Sequence, residues 1–201
     1  MWPPKDIVTV GLSATAFLLS ATTAWVTLWR RGNLYLPRPS QIYFGSERTA
    51  ALGRALSPKV YLRCTLFSSG KRGHIVESPY VRLRRGETAQ VFNIWVFGDK
   101  ELSRGGGLHV GEQGVVSNHH FLLPEDGTSF PWLEGDYVLE LFASLVPGGR
   151  TVRLLETRLA LGAAEASALK EGSAGVFFDW SPEARTYQRH VRPPVPRALA
   201  A

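Results

Sequence analysis

Apolar and polar residues change their spacing twice along the chain, and the changes divide it into segments. From Ile7 to Trp29 there are 23 residues without a formal charge. As a helix this run measures about 35 Å at roughly 1.5 Å per residue, against a hydrocarbon core of about 30 Å. It predicts a transmembrane helix over 7–29 behind a short N-terminal tail at 1–6, with Trp25 and Trp29 where an interfacial aromatic belt belongs. "RRGNLYLPRPS", residues 30–40, reads as a short stiff linker, because Pro37 and Pro39 disfavour helix around them.

Beyond it the period becomes two. In "KVYLRCTLF" Val60, Leu62, Cys64 and Leu66 alternate with Lys59, Tyr61, Arg63 and Thr65, the pattern of a half-buried strand, and "SSGKRG" at 68–73 supplies turn chemistry. "YVRLR" sets Val81 and Leu83 against Arg82 and Arg84. "AQVFNIWVFGD" is apolar on both faces, as a central or covered strand is. "VVSNHHFLL", "DYVLELFASLV" and "TVRLLETRLAL" complete at least six strands at a spacing of roughly 8 to 15 residues without helical crossovers, which predicts an all-β antiparallel sandwich over 41–162. The remainder, 163–201, predicts one short helix ending at Gly172, then an aromatic segment and a Pro-rich tail, "RPPVPRALAA", of polyproline II or irregular form.

"LEGDYVLEL", Leu133 to Leu141, narrows the fold. It resembles the tyrosine corner of immunoglobulin-like sandwiches, in which a Tyr after a Gly-containing turn opens a late strand and its hydroxyl bonds back to the preceding corner. The resemblance covers nine residues and implies an immunoglobulin-like sandwich. Cys64 is the only cysteine, so the paired cysteines of antibody domains are absent and the broader bacterial-type sandwiches are the nearer comparison. A lone cysteine also excludes a disulfide framework, and its place among apolar positions makes it a core residue.

Charge adds an orientation. Residues 30–104 carry 14 Lys and Arg against 5 Asp and Glu, whereas residues 105–201 carry 8 against 11. Arg30 and Arg31 follow the apolar run at once, with Arg38 and Arg48 further on, while Lys5 is offset by Asp6. The positive-inside bias then places the sandwich in the cytoplasm and the N-terminus outside, in a single pass of the inner (cell) membrane. The alternative is a periplasmic or extracellular domain, either in the opposite orientation or after signal-peptide cleavage near Thr22-Thr23-Ala24. Within the helix Thr9, Ser13, Ala16, Ser20, Thr23 and Thr27 recur at spacings of four and three, which puts small and hydroxyl groups on one face. That face suits self-association or packing against a partner's helix; otherwise the hydroxyls bond their own helix carbonyls.

Two further surfaces are candidates. Lys71, Arg72, Arg82, Arg84 and Arg85 form a prospective basic edge for an anionic small molecule such as a nucleotide, or for anionic lipid. Nucleic acid is not indicated, since no exposed aromatics interleave the cations. Phe177, Phe178, Trp180 and Tyr187 are too apolar for a free tail; they predict docking on the sandwich, over the strand of Trp95, or a partner-binding motif. His119 and His120 are adjacent on a strand and point to opposite faces, so they do not share a metal. The glycines near 105–114 lack the lysine and the helix of a phosphate loop, and no nucleophile elbow is present. No catalytic residue, metal or cofactor is assigned. The expectation is a non-enzymatic membrane-anchored module that binds a protein partner as scaffold or accessory subunit. The alternatives are a sensor-effector whose basic edge binds an anionic ligand and whose helix oligomerises, or an exported binding module.

Overall fold

The computed structural model describes residues 3–48, 56–98, 103–124 and 130–192. Helix α1 spans Pro4–Ala24 and closes with a wider turn at Trp25–Trp29, where Arg30 N–H donates to the Trp25 carbonyl at 3.0 Å. No residue of the 25-residue stretch Lys5–Trp29 is buried, so one helix long and apolar enough to cross a membrane stands free of the rest. Its start three residues ahead of the expected 7 follows from Pro4, whose missing N–H and fixed φ suit a first turn.

The remainder is mostly strand, arranged in two antiparallel sheets. The strands are β1 (Leu34–Tyr35), β2 (Gln41–Arg48), β3 (Leu56–Ser68), β4 (His74–Arg85), β5 (Thr88–Phe92), β6 (Ile94–Phe97), β7 (Ser103–Arg104), β8 (Leu108–Val110), β9 (Val115–Leu122), β10 (Gly135–Val146) and β11 (Arg150–Leu161). Helix α2 (Ala163–Glu171) precedes the last pair, β12 (Gly175–Ser181) and β13 (Thr186–Arg192). The larger sheet runs β13-β12-β2-β3-β9-β6-β7 with β1 on the end of β3; the smaller runs β11-β10-β4-β5 with β8 on β4.

Alternation builds the core between them. Val60, Leu62, Cys64 and Leu66 of β3 point inward, as do Val81 and Leu83 of β4 and Leu139, Leu141 and Ala143 of β10, and all are buried. The Tyr137 hydroxyl donates to the Leu133 carbonyl at 2.7 Å and accepts from the Leu133 N–H at 3.0 Å, the geometry that the nine-residue resemblance implied. Helix α2 ends where expected: Gly172 is left-handed at φ +67, and Ser173 N–H donates to the Ala168 carbonyl.

Three segments differ from the sequence-based expectation. The two-sided strand is two strands in two sheets, β5 and β6, because the chain crosses between layers at Asn93; Phe92 then fills the core from one sheet and Trp95 from the other. The segment expected as linker is laid against the sandwich instead. Leu34 and Tyr35 pair with Ser68 and Phe67, Leu36 packs on the core, and the Pro39 carbonyl accepts from the Tyr187 hydroxyl at 2.9 Å. The aromatic segment after α2 is an integral hairpin of the larger sheet, with Val176 opposite Phe44 and Phe178 opposite Ile42. It lies beside β2, with three strands between it and β6, which holds Trp95, so it does not cover that residue. The Pro-rich end at 193–201 lies outside the described residues.

Candidate functional site

The outer face of the smaller sheet carries the densest charge cluster. On β10, Tyr137, Leu139 and Leu141 face the core, which turns Glu140 outward; it is nevertheless only 1% exposed. Arginines cover it. Arg82 Nε donates to Glu140 Oε2 at 2.8 Å, Arg84 Nε to the same oxygen at 3.1 Å, and Arg153 Nη1 to Oε1 at 3.1 Å. Arg82 also sits over the Phe142 ring at 4.8 Å, and Phe142 stacks on Tyr80 at 5.1 Å. The hydrogen bond from Arg82, aided by those from Arg153 and Arg84, outweighs burial and holds the Glu140 carboxyl down at about 2. Three guanidinium groups meet one buried carboxylate, and Arg153 is shared with Glu156, so cationic surface remains.

Arg82 and Arg84 therefore share an outward face, as their spacing predicts, but they are held by a carboxylate. Arg85 turns away and donates to the Glu134 carbonyl at 3.4 Å. Lys71 and Arg72 are not part of this group. Strand β4 begins at His74, earlier than "YVRLR" suggests, and an extended chain from Arg72 to Arg82 covers up to about 33 Å at roughly 3.3 Å per residue. The five cations thus form two sites at opposite ends of one strand. Glu140 and Arg153 were not singled out in the sequence. The signal available was a lone acidic residue at an outward position opposite Arg82 in the register.

The outer face of the larger sheet carries an aromatic row. His190, Phe177, Tyr43, Tyr61 and His120 lie on five adjacent strands at one level, since Phe177 pairs with His190 and Tyr43, and Tyr61 pairs with Tyr43 and His120. Ring centroids are 5.5 Å apart for Phe177–His190, 4.6 Å for Tyr43–Phe177, 6.5 Å for Tyr43–Tyr61 and 4.8 Å for Tyr61–His120. Gly45 and Gly175 make room for the Tyr43 ring, because a Cβ on either would enter it. Arg192 lies over Phe177 and Lys59 over Tyr43.

Of the four aromatics expected to meet a partner, only Phe177 belongs to this row. Phe178 is buried in the core, where alternation within β12 sends it. Trp180 packs on Tyr187 and under Arg38, and Tyr187 bonds to the Pro39 carbonyl, so both fasten the segment after the helix.

The remaining candidate groups sit in structural surroundings. Trp95 Nε1–H donates to His119 Nδ1 at 3.1 Å inside the core, which leaves the His119 proton on Nε2, and burial pulls that imidazole down to about 4. His120 faces the other way, in the aromatic row. Burial pushes the Cys64 thiol up to about 12. Gly105 opens a place for the Trp95 ring, which a Cβ there would strike. Along α1 and the wider turn that closes it, the hydroxyls of Thr9, Thr23 and Thr27 donate to the Lys5, Leu19 and Thr23 carbonyls, as do those of Thr15 and Thr22 off the stripe to Gly11 and Leu18. Ser13, Ala16 and Ser20 complete that exposed face. In comparison with known proteins, no family model matches the chain and no curated protein matches its sequence.

Proposed function

We propose that this chain is a non-enzymatic, membrane-anchored interaction module. Its helix anchors an immunoglobulin-like sandwich at the cytoplasmic face of the inner membrane, and the sandwich binds a protein partner as scaffold or accessory subunit. The observation that carries this is the junction: an apolar helix with no buried residue runs through a paired, partly buried segment into a sandwich. Confinement to the membrane plane raises the effective concentration of such a domain toward membrane-bound partners. Arg30, Arg31 and Arg38 next to the helix support the cytoplasmic orientation.

The aromatic row is the surface we assign to the partner. Aromatic side chains supply large contact area with few rotatable bonds, and here glycines and neighbouring strands hold the rings in place. A photo-crosslinking residue at Phe177, in cells producing the full chain, is expected to yield one discrete protein adduct that the same residue at Thr151 on the other sheet does not. An adduct at neither position, or equal adducts at both, would remove the row from the account.

The excess of arginine over carboxylate at Glu140 supports a second reading, an anionic ligand on the smaller sheet, with the helix oligomerising in response. Because Glu140 depends on these arginines, Arg153→Gln, which leaves Arg82 and Arg84 in place, is the informative variant for nucleotide titration.

A further inference from the structure

The chain is fastened to the sandwich as soon as it leaves the helix. The Arg31 carbonyl accepts from Ser68 Oγ at 3.2 Å, the Asn33 carbonyl accepts from Ser69 N–H at 2.9 Å, and Asn33 N–H donates to Ser69 Oγ at 2.9 Å. Gly32, left-handed at φ +70, lies against Gly70 so closely that a Cβ on either would enter the other segment's backbone. The β3–β4 turn, with exposed Lys71 and Arg72, is thereby pinned beside Arg30 and Arg31.

Strand register brings a second turn to the same end. Val146 pairs with Ile75 at the start of β4, so the β10–β11 hairpin projects past it and presents Arg150, also exposed. Beside these cations are exposed apolar side chains: Ile75 at 48%, Val146 at 37% and Tyr35 at 45%. The described carboxylates nearby are Glu112 in the β8–β9 turn, Glu77 within β4 and Glu183 in the β12–β13 turn, the last accompanied by Arg185. At the opposite end the described charges are mixed, with Glu87, Glu134 and Asp136 around the tyrosine corner lying among Arg85, Arg158 and Arg189. Among the described residues, the sandwich thus carries its basic and apolar rim at the end from which the helix leaves.

We propose that this rim is a seat for anionic phospholipid headgroups. With the helix in the bilayer, Lys71, Arg72 and Arg150 rest on the phosphate layer beside Arg30 and Arg31, while Ile75 and Val146 enter the interface. Ammonium and guanidinium groups on short turns suit headgroup phosphates, and aliphatic side chains between them suit the acyl boundary. The seat makes the sandwich stand close on the membrane, which fixes how its two outer faces are presented. It rests on the anchor reading above.

The test uses the full chain in nanodiscs of phosphatidylcholine alone, or of equal parts phosphatidylcholine and phosphatidylglycerol. A fluorophore is attached at Ile75→Cys or, as distal control, Glu134→Cys; the wild-type chain, whose Cys64 is buried, is the labelling blank. Spin-labelled headgroups quench the probe, and co-elution with the disc together with quenching of Trp25 and Trp29 by brominated acyl chains reports the helix. Expected are quenching at position 75 several-fold above position 134 in the anionic discs, a weaker difference in phosphatidylcholine alone, and loss of the difference in Lys71→Gln/Arg72→Gln/Arg150→Gln with the helix still inserted. Equal quenching at 75 and 134 with the helix inserted would overturn the seat and leave the anchor. A difference untouched by lipid charge and by the triple variant would overturn the headgroup assignment, and failure to enter the disc would overturn the anchor and the seat together.

Discussion

His119 shows how one side chain can set the pH response of the fold. Its imidazole is 3% exposed and accepts a hydrogen bond from the Trp95 indole, so it stays neutral in the folded chain down to about pH 4. In the unfolded chain the same group protonates near 6.5. Its folded value is the lower one, so the unfolded state binds the extra proton and stability falls as pH drops from about 6.5 to about 4. The loss across that window is on the order of 3 kcal/mol. Thermal melts from pH 7 to 4 are expected to show a clearly smaller loss for His119→Gln, which keeps an acceptor for Trp95, than for wild type; equal loss in both would contradict this. Glu140 acts lower on the scale: its carboxyl is depressed, so its contribution is complete above its ordinary value of 4.5 and is lost as pH falls toward about 2. These two residues also mark what the sequence could disclose. Tyr137 was legible because its partner, Leu133, is four residues away. Glu140 and His119 were not, because their partners Arg82 and Trp95 come from other strands, and only the register brings them into reach.

Among the elements, those with strict alternation were legible and those whose role depends on a neighbouring strand were not. Strands β3, β10 and β11 read directly from alternating residues. In β12 aromatics occupy both faces, Phe177 outward and Phe178 inward, which looks like a tail until β2 is placed beside it. Strand β1 has two residues, too few for any period. The basic edge failed as a single site for a related reason: the length of β4 was hidden by Pro79, which lies within the strand next to a bulge in its pairing with β10. The β12–β13 hairpin has a mechanical consequence. Val176 and Phe178 are fully buried against Phe44 and Ile42, and each such side chain contributes about 1.5–3 kcal/mol by burial. A chain ending at Ala174 is therefore expected to lose its cooperative thermal transition and to become protease-sensitive throughout the sandwich. A truncated chain that melts cooperatively near the wild-type temperature would show that the hairpin is an appendage.

For the whole molecule, the decisive relation is between the free apolar helix and the body attached to it. The helix exposes Leu12, Phe17, Leu18 and Leu19 at 64% or more, an apolar surface that water does not favour and a bilayer does. The paired segment after it fastens the chain to the sandwich where it leaves the helix, so both candidate faces lie on the side of the membrane that Arg30 reaches if the helix spans it. The measurement that tests this most directly is topology in intact cells. A single new thiol at Lys170→Cys, exposed on α2, is probed with a membrane-impermeant reagent before and after lysis, with any outer membrane permeabilised, alongside the intact mass of the N-terminus. Labelling is expected only after lysis, in a membrane-bound chain that retains its N-terminal segment. Labelling in intact cells, or an N-terminus cleaved near Ala24, would contradict it and place the sandwich outside.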